Sequence, residues 1–394
     1  MGKMKSSVML IVASAICLVL FAPNAYCQVS GVYGPAAIST GHEEETPTIV
    51  LDSAGNAHIV WASGSAMQFL FYKMVDRNGN VVIPETNVNP CTDPDEGHVR
   101  RPSIGIDASG QIHIVFHGFS LYINHGSSGY TGQNGLDSSE VIYTKINPAA
   151  YLAGGMSDLN DLIVIPETLI TPDDDIRSRA PNLVVDAANG RVHIVWFDGG
   201  EEEDEPKLVL MRDGARTDVE LRYRVLDLNG GEIVPITTLT SGLTIDVDWG
   251  EPEIAIDSNG DAHIVYTKDL DGQSWEDEQR DDREVFYTVV AVSGNSAATL
   301  INDTMITAED GHASTRAQLA IDANGMVHVI WQDRRFADNG RAPEIFYCKL
   351  NPNPGSGTVG FVITEAQVTP DNDKRSNQKG IAIDSCGRIN MAWG

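Results

Sequence analysis

One stretch recurs six times along the chain: PTIVLDSAGNAHIVWAS at 47 to 63, PSIGIDASGQIHIVFHG at 102 to 118, PNLVVDAANGRVHIVWFD at 181 to 198, PEIAIDSNGDAHIVYTK at 252 to 268, AQLAIDANGMVHVIWQD at 317 to 333 and KGIAIDSCGRINMAW at 379 to 393. Each copy is an apolar run ending in Asp, a short polar turn with a Gly, and a second run led by His or, in the sixth copy, by Asn390. Runs rich in Val and Ile, separated by a turn in which Gly takes a positive φ, read as β-hairpins. The marker aspartates are Asp52, Asp107, Asp186, Asp257, Asp322 and Asp384, spaced by 55, 79, 71, 65 and 62 residues. Variable steps around a constant hairpin mean variable loops on a repeated scaffold.

A third strand follows each of the first five hairpins: FLFYKMV (69 to 75), EVIYTKI (140 to 146), ELRYRVL (220 to 226), EVFYTVV (284 to 290) and EIFYCKL (344 to 350). A fourth follows in turn: VVIPETNV (81 to 88), LIVIPETLI (162 to 170), EIVPITTL (232 to 239), TLINDTMI (299 to 306) and FVITEAQV (361 to 368). Four antiparallel strands per period predict an all-β chain, a β-propeller of four-stranded blades. The sixth copy ends with no third or fourth strand after it, and the segments 28 to 34 and 35 to 40 supply candidates for both. The expectation is therefore six blades, the last closed by both chain ends, which would hide its edge strands. Within each blade, strand one reads as apolar throughout, and strand two sends Trp61, Phe116, Trp196, Tyr266, Trp331 and Trp393 to one side.

Residues 1 to 27 carry Lys3 and Lys5, then an apolar run, then a small-residue exit before Gln28, the pattern of a secretory signal peptide. Residues 28 to 394 form the single propeller domain, with no transmembrane segment in the mature chain and a secreted, extracellular or periplasmic destination. Lipid attachment through Cys27 is the minor alternative, disfavoured by the bulky Tyr26. Cys91, Cys348 and Cys386 are left in the mature chain, an odd number that sets no disulfide framework. A formal net charge of −28 argues against a nucleic-acid partner, which needs a basic footprint.

The Asp-to-Gly turns, with a further DRNGN turn at 76 to 80, resemble those of the sialidase-like, Asp-box or BNR-type secreted β-propellers. The likeness covers nearly all of 40 to 394. It departs from the family pattern Ser-x-Asp-x-Gly-x-x-Trp, because here the turn is Asp-x-x-Gly-x-x-His. The resemblance implies a propeller of a kind that includes hydrolases, lectin-like modules and proteins with no known ligand. Its enzymes carry an arginine triad, a Tyr and Glu nucleophile pair and an acidic general acid, but no local motif marks that set here, so no catalytic residue is assigned.

His58, His113, His193, His263 and His328 fill one place in five repeats and read as buried imidazoles bonded to their own turns. The marker aspartates read as turn formers, because Asp bonds readily to the backbone N–H groups that follow it. Function is expected where the repeats differ, in the loops from strand two to three and from strand four to the next blade. Those loops are rich in acids, as in GHEEET (41 to 46), TPDDDIRS (171 to 178) and TPDNDKRS (369 to 376). Carboxylates converging there need either solvent screening or a compensating cation. The candidate ligand-binding residues are Asp175, Asp198, Trp275, Asp333, Arg334 and Asp373, with Asp175 and Asp373 as ligands if Ca²⁺ is bound. Three functions stand in order: a non-catalytic binding or scaffold propeller recognising a glycan or an extracellular protein; a sialidase-like glycoside hydrolase; and a structural repeat region of a larger surface protein. The hydrolase requires two carboxylates, or a Tyr and a Glu, about 5 to 10 Å apart across a pocket.

Overall fold

A computed structural model of the chain describes residues 9–10, 36–37, 44–63, 69–89, 99–119, 139–153, 162–172, 176–201, 215–246, 251–270, 282–336, 343–370, 378–384 and 386–393. It is the predicted propeller of antiparallel blades, with both strands of each core hairpin where the repeats place them. A two-residue pair, β1 (Met9–Leu10) with β2 (Ala36–Ala37), comes first. Blade one is β3 (Glu44–Leu51), β4 (Ala57–Ser63), β5 (Phe69–Val75) and β6 (Val81–Asn87). Blade two is β7 (Val99–Ile106), β8 (Ile112–Phe119), β9 (Ser139–Ile146) and β10 (Ile163–Leu169), with a short helix, Pro148–Leu152, between its last two strands. Blade three is β11 (Ser178–Asp186), β12 (Arg191–Glu201), β13 (Ala215–Asp227) and β14 (Glu232–Asp246). Blade four is β15 (Glu253–Ile256), β16 (Ala262–Asp269), β17 (Arg283–Ser293) and β18 (Ser296–Met305). Blade five is β19 (Ser314–Ile321), β20 (Val327–Asp333), β21 (Glu344–Asn353) and β22 (Thr358–Gln367). The sixth unit is β23 (Gln378–Ile383) with β24 (Ile389–Trp393).

Strands pair in sequence order within each blade, and a single bridge, Thr244 to Asp269, joins the long β14 of blade three to β16 of blade four. Among the described residues β23 and β24 pair only with each other, and Ala36–Ala37 pairs with Met9–Leu10 rather than with β24. The segments expected to complete that blade otherwise lie outside the described residues. Trp331 and Trp196 are fully buried between blades and Trp61 is buried in blade one, whereas the sixth-unit equivalent, Trp393, is 44% exposed.

The hairpin turns show why Asp and Gly recur. Asp52 Oδ1 accepts from the N–H groups of Ala54 and Asn56 at 2.9 and 2.8 Å, while Gly55 closes the turn at φ 83°. The same Asp-to-backbone pattern appears at Asp107, Asp257, Asp322 and Asp384, and in the strand-three turns at Asp76 and Asp227. Each conserved-position His then locks the turn to the third strand. Nδ1 lies 2.5 to 2.8 Å from a tyrosine hydroxyl in all five pairs: His58 with Tyr72, His113 with Tyr143, His193 with Tyr223, His263 with Tyr287 and His328 with Tyr347. Nε2 faces the marker Asp at 3.2 Å in the second and fifth blades and at 3.6 to 4.0 Å in the others. An ionised carboxylate only accepts, so in blades two and five, where Nε2 bonds the Asp, Nε2 carries the proton and the tyrosine donates to Nδ1.

Burial is the largest cause in holding His113 and His193 down at about 4, and it lowers His58 and His328 as well. His58, His113, His193 and His328 are therefore neutral near pH 7, and all five rings fill one repeated structural place.

Candidate functional site

The inner strands enter the ring through a bulge. In blades one, two, three and five the pairing slips just before the core hairpin, and Thr46, Arg101, Ala180 and Arg316 adopt φ of 45° to 53°. A non-glycine residue in the left-handed region costs about 1 to 2 kcal/mol, and bulges of this kind re-aim side chains. At the matching place blade four has Glu251, the residue before Pro252.

One step further along, each strand one carries a small or polar residue: Thr48, Ser103, Asn182, Glu253, Gln318 and Gly380. This corrects the reading of strand one as apolar throughout. Ser103 Oγ donates to Asn182 Oδ1 at 3.3 Å, the Asn182 side chain bonds Glu253, and Gln318 Nε2 donates to Glu253 Oε1 at 3.3 Å. The four residues run as a polar chain around the inner strands of blades two to five. A Cβ at Gly380 would lie 3.6 Å from Gln318 Oε1, which carries the line to the sixth unit. Burial, then the charge of Glu251, push the Glu253 carboxyl up to about 8.

Arginines stand beside this chain on the inner strands, although the molecule is acidic. His117, at the end of β8, is buried, and its Nδ1 accepts from the Ala180 N–H at 3.4 Å. Burial, followed by the charges of Arg101, Arg179 and Arg100, pushes this ring far below the usual histidine range. Arg100 is the cross-strand partner of His117, Arg101 follows it, and Arg179 precedes the Ala180 that bonds the ring, so three arginine positions flank one buried imidazole where blades two and three meet. Arg101 also reaches past blade three, its Nε 3.2 Å from Glu251 Oε1 in blade four.

The acids expected to form the site have other employment. Asp198, in blade three, accepts from Ser178 Oγ at 2.8 Å and pairs with Arg222 at 3.2 Å. Asp333, in blade five, is 1% exposed and receives Trp331 Nε1 at 3.0 Å and the Arg335 guanidinium at 2.8 and 2.7 Å. Arg335 is also held by Glu365 at 2.7 Å and Asp310 at 3.6 Å, and lies over the Phe346 ring at 4.4 Å. Its neighbour Arg334 donates its backbone N–H to Ala313 O at 2.9 Å. Asp198 and Asp333 are thus each tied to partners in their own blade. Asp175, Trp275 and Asp373 lie outside the described residues. Among those described, no three of His, Cys, Asp and Glu are grouped as a metal site needs, and no helix is long and apolar enough to cross a membrane.

A second set of acids passed unnoticed in the sequence. Glu140, Glu284 and Glu344, each at the start of a third strand, are fully buried. Thr171, Thr307 and Thr369 donate to them and accept from the next backbone N–H, that of Val141, Val285 or Ile345. The signal was present as Glu before an apolar run and Thr after each fourth strand. Because the arrangement repeats in three blades it is architectural, and burial above all raises Glu284 to about 8.

No family model matches the chain, and no curated protein matches it. Solved structures do. A polysaccharide lyase named as an ulvan lyase matches with a TM-score of 0.50 at 12% identity, over 84% of this chain and 72% of that one. An α-L-arabinofuranosidase from Lactobacillus brevis matches at 0.44 and 11% identity, over 83% of this chain and 94% of that one. A Hadza microbial sialidase matches at 0.46 and 11% identity, over 84% of this chain and 59% of that one. At such identities the likeness is one of fold.

Proposed function

We propose that this is a secreted saccharide-binding propeller whose axial mouth takes an acidic sugar. The observation that carries the reading is the placing of Arg100, Arg101 and Arg179 on the inner strands that flank buried His117, at the inner end of blades two and three. Guanidinium groups suit carboxylate and sulfate, which they bind through paired N–H donors. The ulvan lyase shares the fold, and its name supplies polysaccharide as the ligand class. A formal charge of −28 repels a densely charged polyanion, so the fitting ligand offers isolated anionic groups to the mouth.

Secretion rests on the leader at 1 to 27, and N-terminal sequencing of exported protein should begin at Gln28. The binding reading is tested on a glycan array that spans neutral, uronate-bearing and sulfated oligosaccharides. Selective retention of acidic members by the wild type, lost in Arg101→Ala and Arg179→Ala, supports it; uniform retention or none defeats it.

A second reading, glycoside hydrolysis, draws on one observation. Glu251 is bound to Arg101, while Glu253, two residues on, is pushed up to about 8, and a protonated carboxyl close to one held by an arginine suits acid catalysis. Turnover of any glycoside in a fluorogenic panel, abolished by Glu253→Gln with binding intact, would favour this reading over the first.

A further inference from the structure

We infer that Glu251 sets the specificity of the axial mouth by occupying Arg101 until an acidic saccharide displaces it. The inference rests on the acidic-sugar reading above and deepens it.

Four of the six inner strands enter the ring through a left-handed residue, none of them acidic: Thr46, Arg101, Ala180 and Arg316. Blade four alone of the first five places a carboxylate at this level, and that carboxylate reaches the Arg101 of a blade two positions away. The two partners differ in how firmly they are held. The Arg101 side chain is 19% exposed, on a strained backbone beside the buried His117, whereas Glu251 is 42% exposed. The acid is therefore the partner that moves. A pair this exposed is a weak one, which a ligand anion with additional contacts overcomes. Beneath the pair, Glu253 is tied to Asn182 and Gln318, and its protonated form adds no negative charge against the incoming group.

Glu251 acts here as a filter. A neutral sugar meets only the N–H donors of Arg101 that Glu251 leaves, and gains nothing from its charge. An anionic sugar gains the guanidinium but must overcome both the resident ion pair and repulsion by the displaced acid. Removing the charge at 251 relieves both costs and leaves the shape of the mouth intact.

The test titrates wild type, Glu251→Gln and Arg101→Ala with trigalacturonate, its methyl ester and a sulfated neutral trisaccharide, following binding by calorimetry. The inference predicts that Glu251→Gln binds trigalacturonate roughly 3- to 10-fold more tightly than wild type, with the methyl ester unchanged and Arg101→Ala weakened. A parallel gain for the sulfated sugar identifies the recognised group as any anion, and a gain for trigalacturonate alone identifies it as a carboxylate. Equal or weaker binding by Glu251→Gln, while wild type still binds, overturns the role of Glu251 and leaves the acidic-sugar reading standing. Failure of both proteins to bind either acidic sugar removes that reading, and the inference with it. Matching melting curves for the three proteins exclude misfolding as the cause.

Discussion

The neutral histidines make acid stability a quantitative matter, and His193 is the position at which to measure it. Its ring is fully buried, bonded to Tyr223 at 2.5 Å, and burial holds it at about 4 against an ordinary 6.5. The unfolded chain therefore binds a proton between pH 6.5 and 4 that the folded chain refuses. Stability from this residue is fully present above 6.5 and is lost as pH falls through about 4, by roughly 3 kcal/mol at most. His113 behaves alike, so two rings place an upper limit of about 7 kcal/mol on the loss, comparable to the whole stability of many domains. Buried Glu284 works in the opposite sense, because its raised carboxyl loses stability as pH climbs from 4.5 through about 8. A single pH curve mixes the two. The difference between wild type and His193→Gln does not, since only one titrating group is removed. Urea unfolding from pH 7.5 to 4 should show His193→Gln destabilised by about 1 to 3 kcal/mol at neutral pH, from loss of the tyrosine bond. That deficit should shrink by a similar amount by pH 4.5. A deficit that stays constant across this range would refute the claim that the ring is kept neutral by burial.

Other outcomes follow from the same packing. Glu284→Gln imitates the protonated acid and should flatten the loss of stability between pH 6.5 and 9, gaining about 1 to 3 kcal/mol over wild type at the alkaline end in urea titrations. Gly105→Val should cost about 3 kcal/mol or more, because even a Cβ there would come within 2.6 Å of Leu183 and Val185 in the next blade. If the rim acids around Asp175 and Asp373 hold Ca²⁺, millimolar calcium should raise the melting midpoint and chelator should lower it; an unchanged midpoint removes calcium from the account.

The architecture was legible because its causes are local. Asp and Gly are needed at every hairpin turn, and Val and Ile alternate on strands that pack between blades, so the pattern repeats wherever the geometry does. The histidines were legible for the same reason, five copies in five equivalent places. Their tyrosine partners were visible as the aromatic of each third strand, although sequence alone did not pair the rings. The axial mouth was hidden because its residues never sit together in the chain. Arg101 and Glu251 each precede a core hairpin, yet they meet only when the blades are arranged about an axis. Acid-rich loops drew attention instead, since composition announces them. Asp198 and Asp333 show why composition misleads: each is neutralised by an arginine on a neighbouring strand or turn, Arg222 or Arg335.

The account turns on where a ligand sits. A crystal soaked with trigalacturonate, compared with an unsoaked one, locates it without prior choice of residue. Carboxylate density against Arg101, with Glu251 swung away, is the predicted result; a sugar seated only on the outer loops, with the Arg101 to Glu251 pair undisturbed, contradicts it.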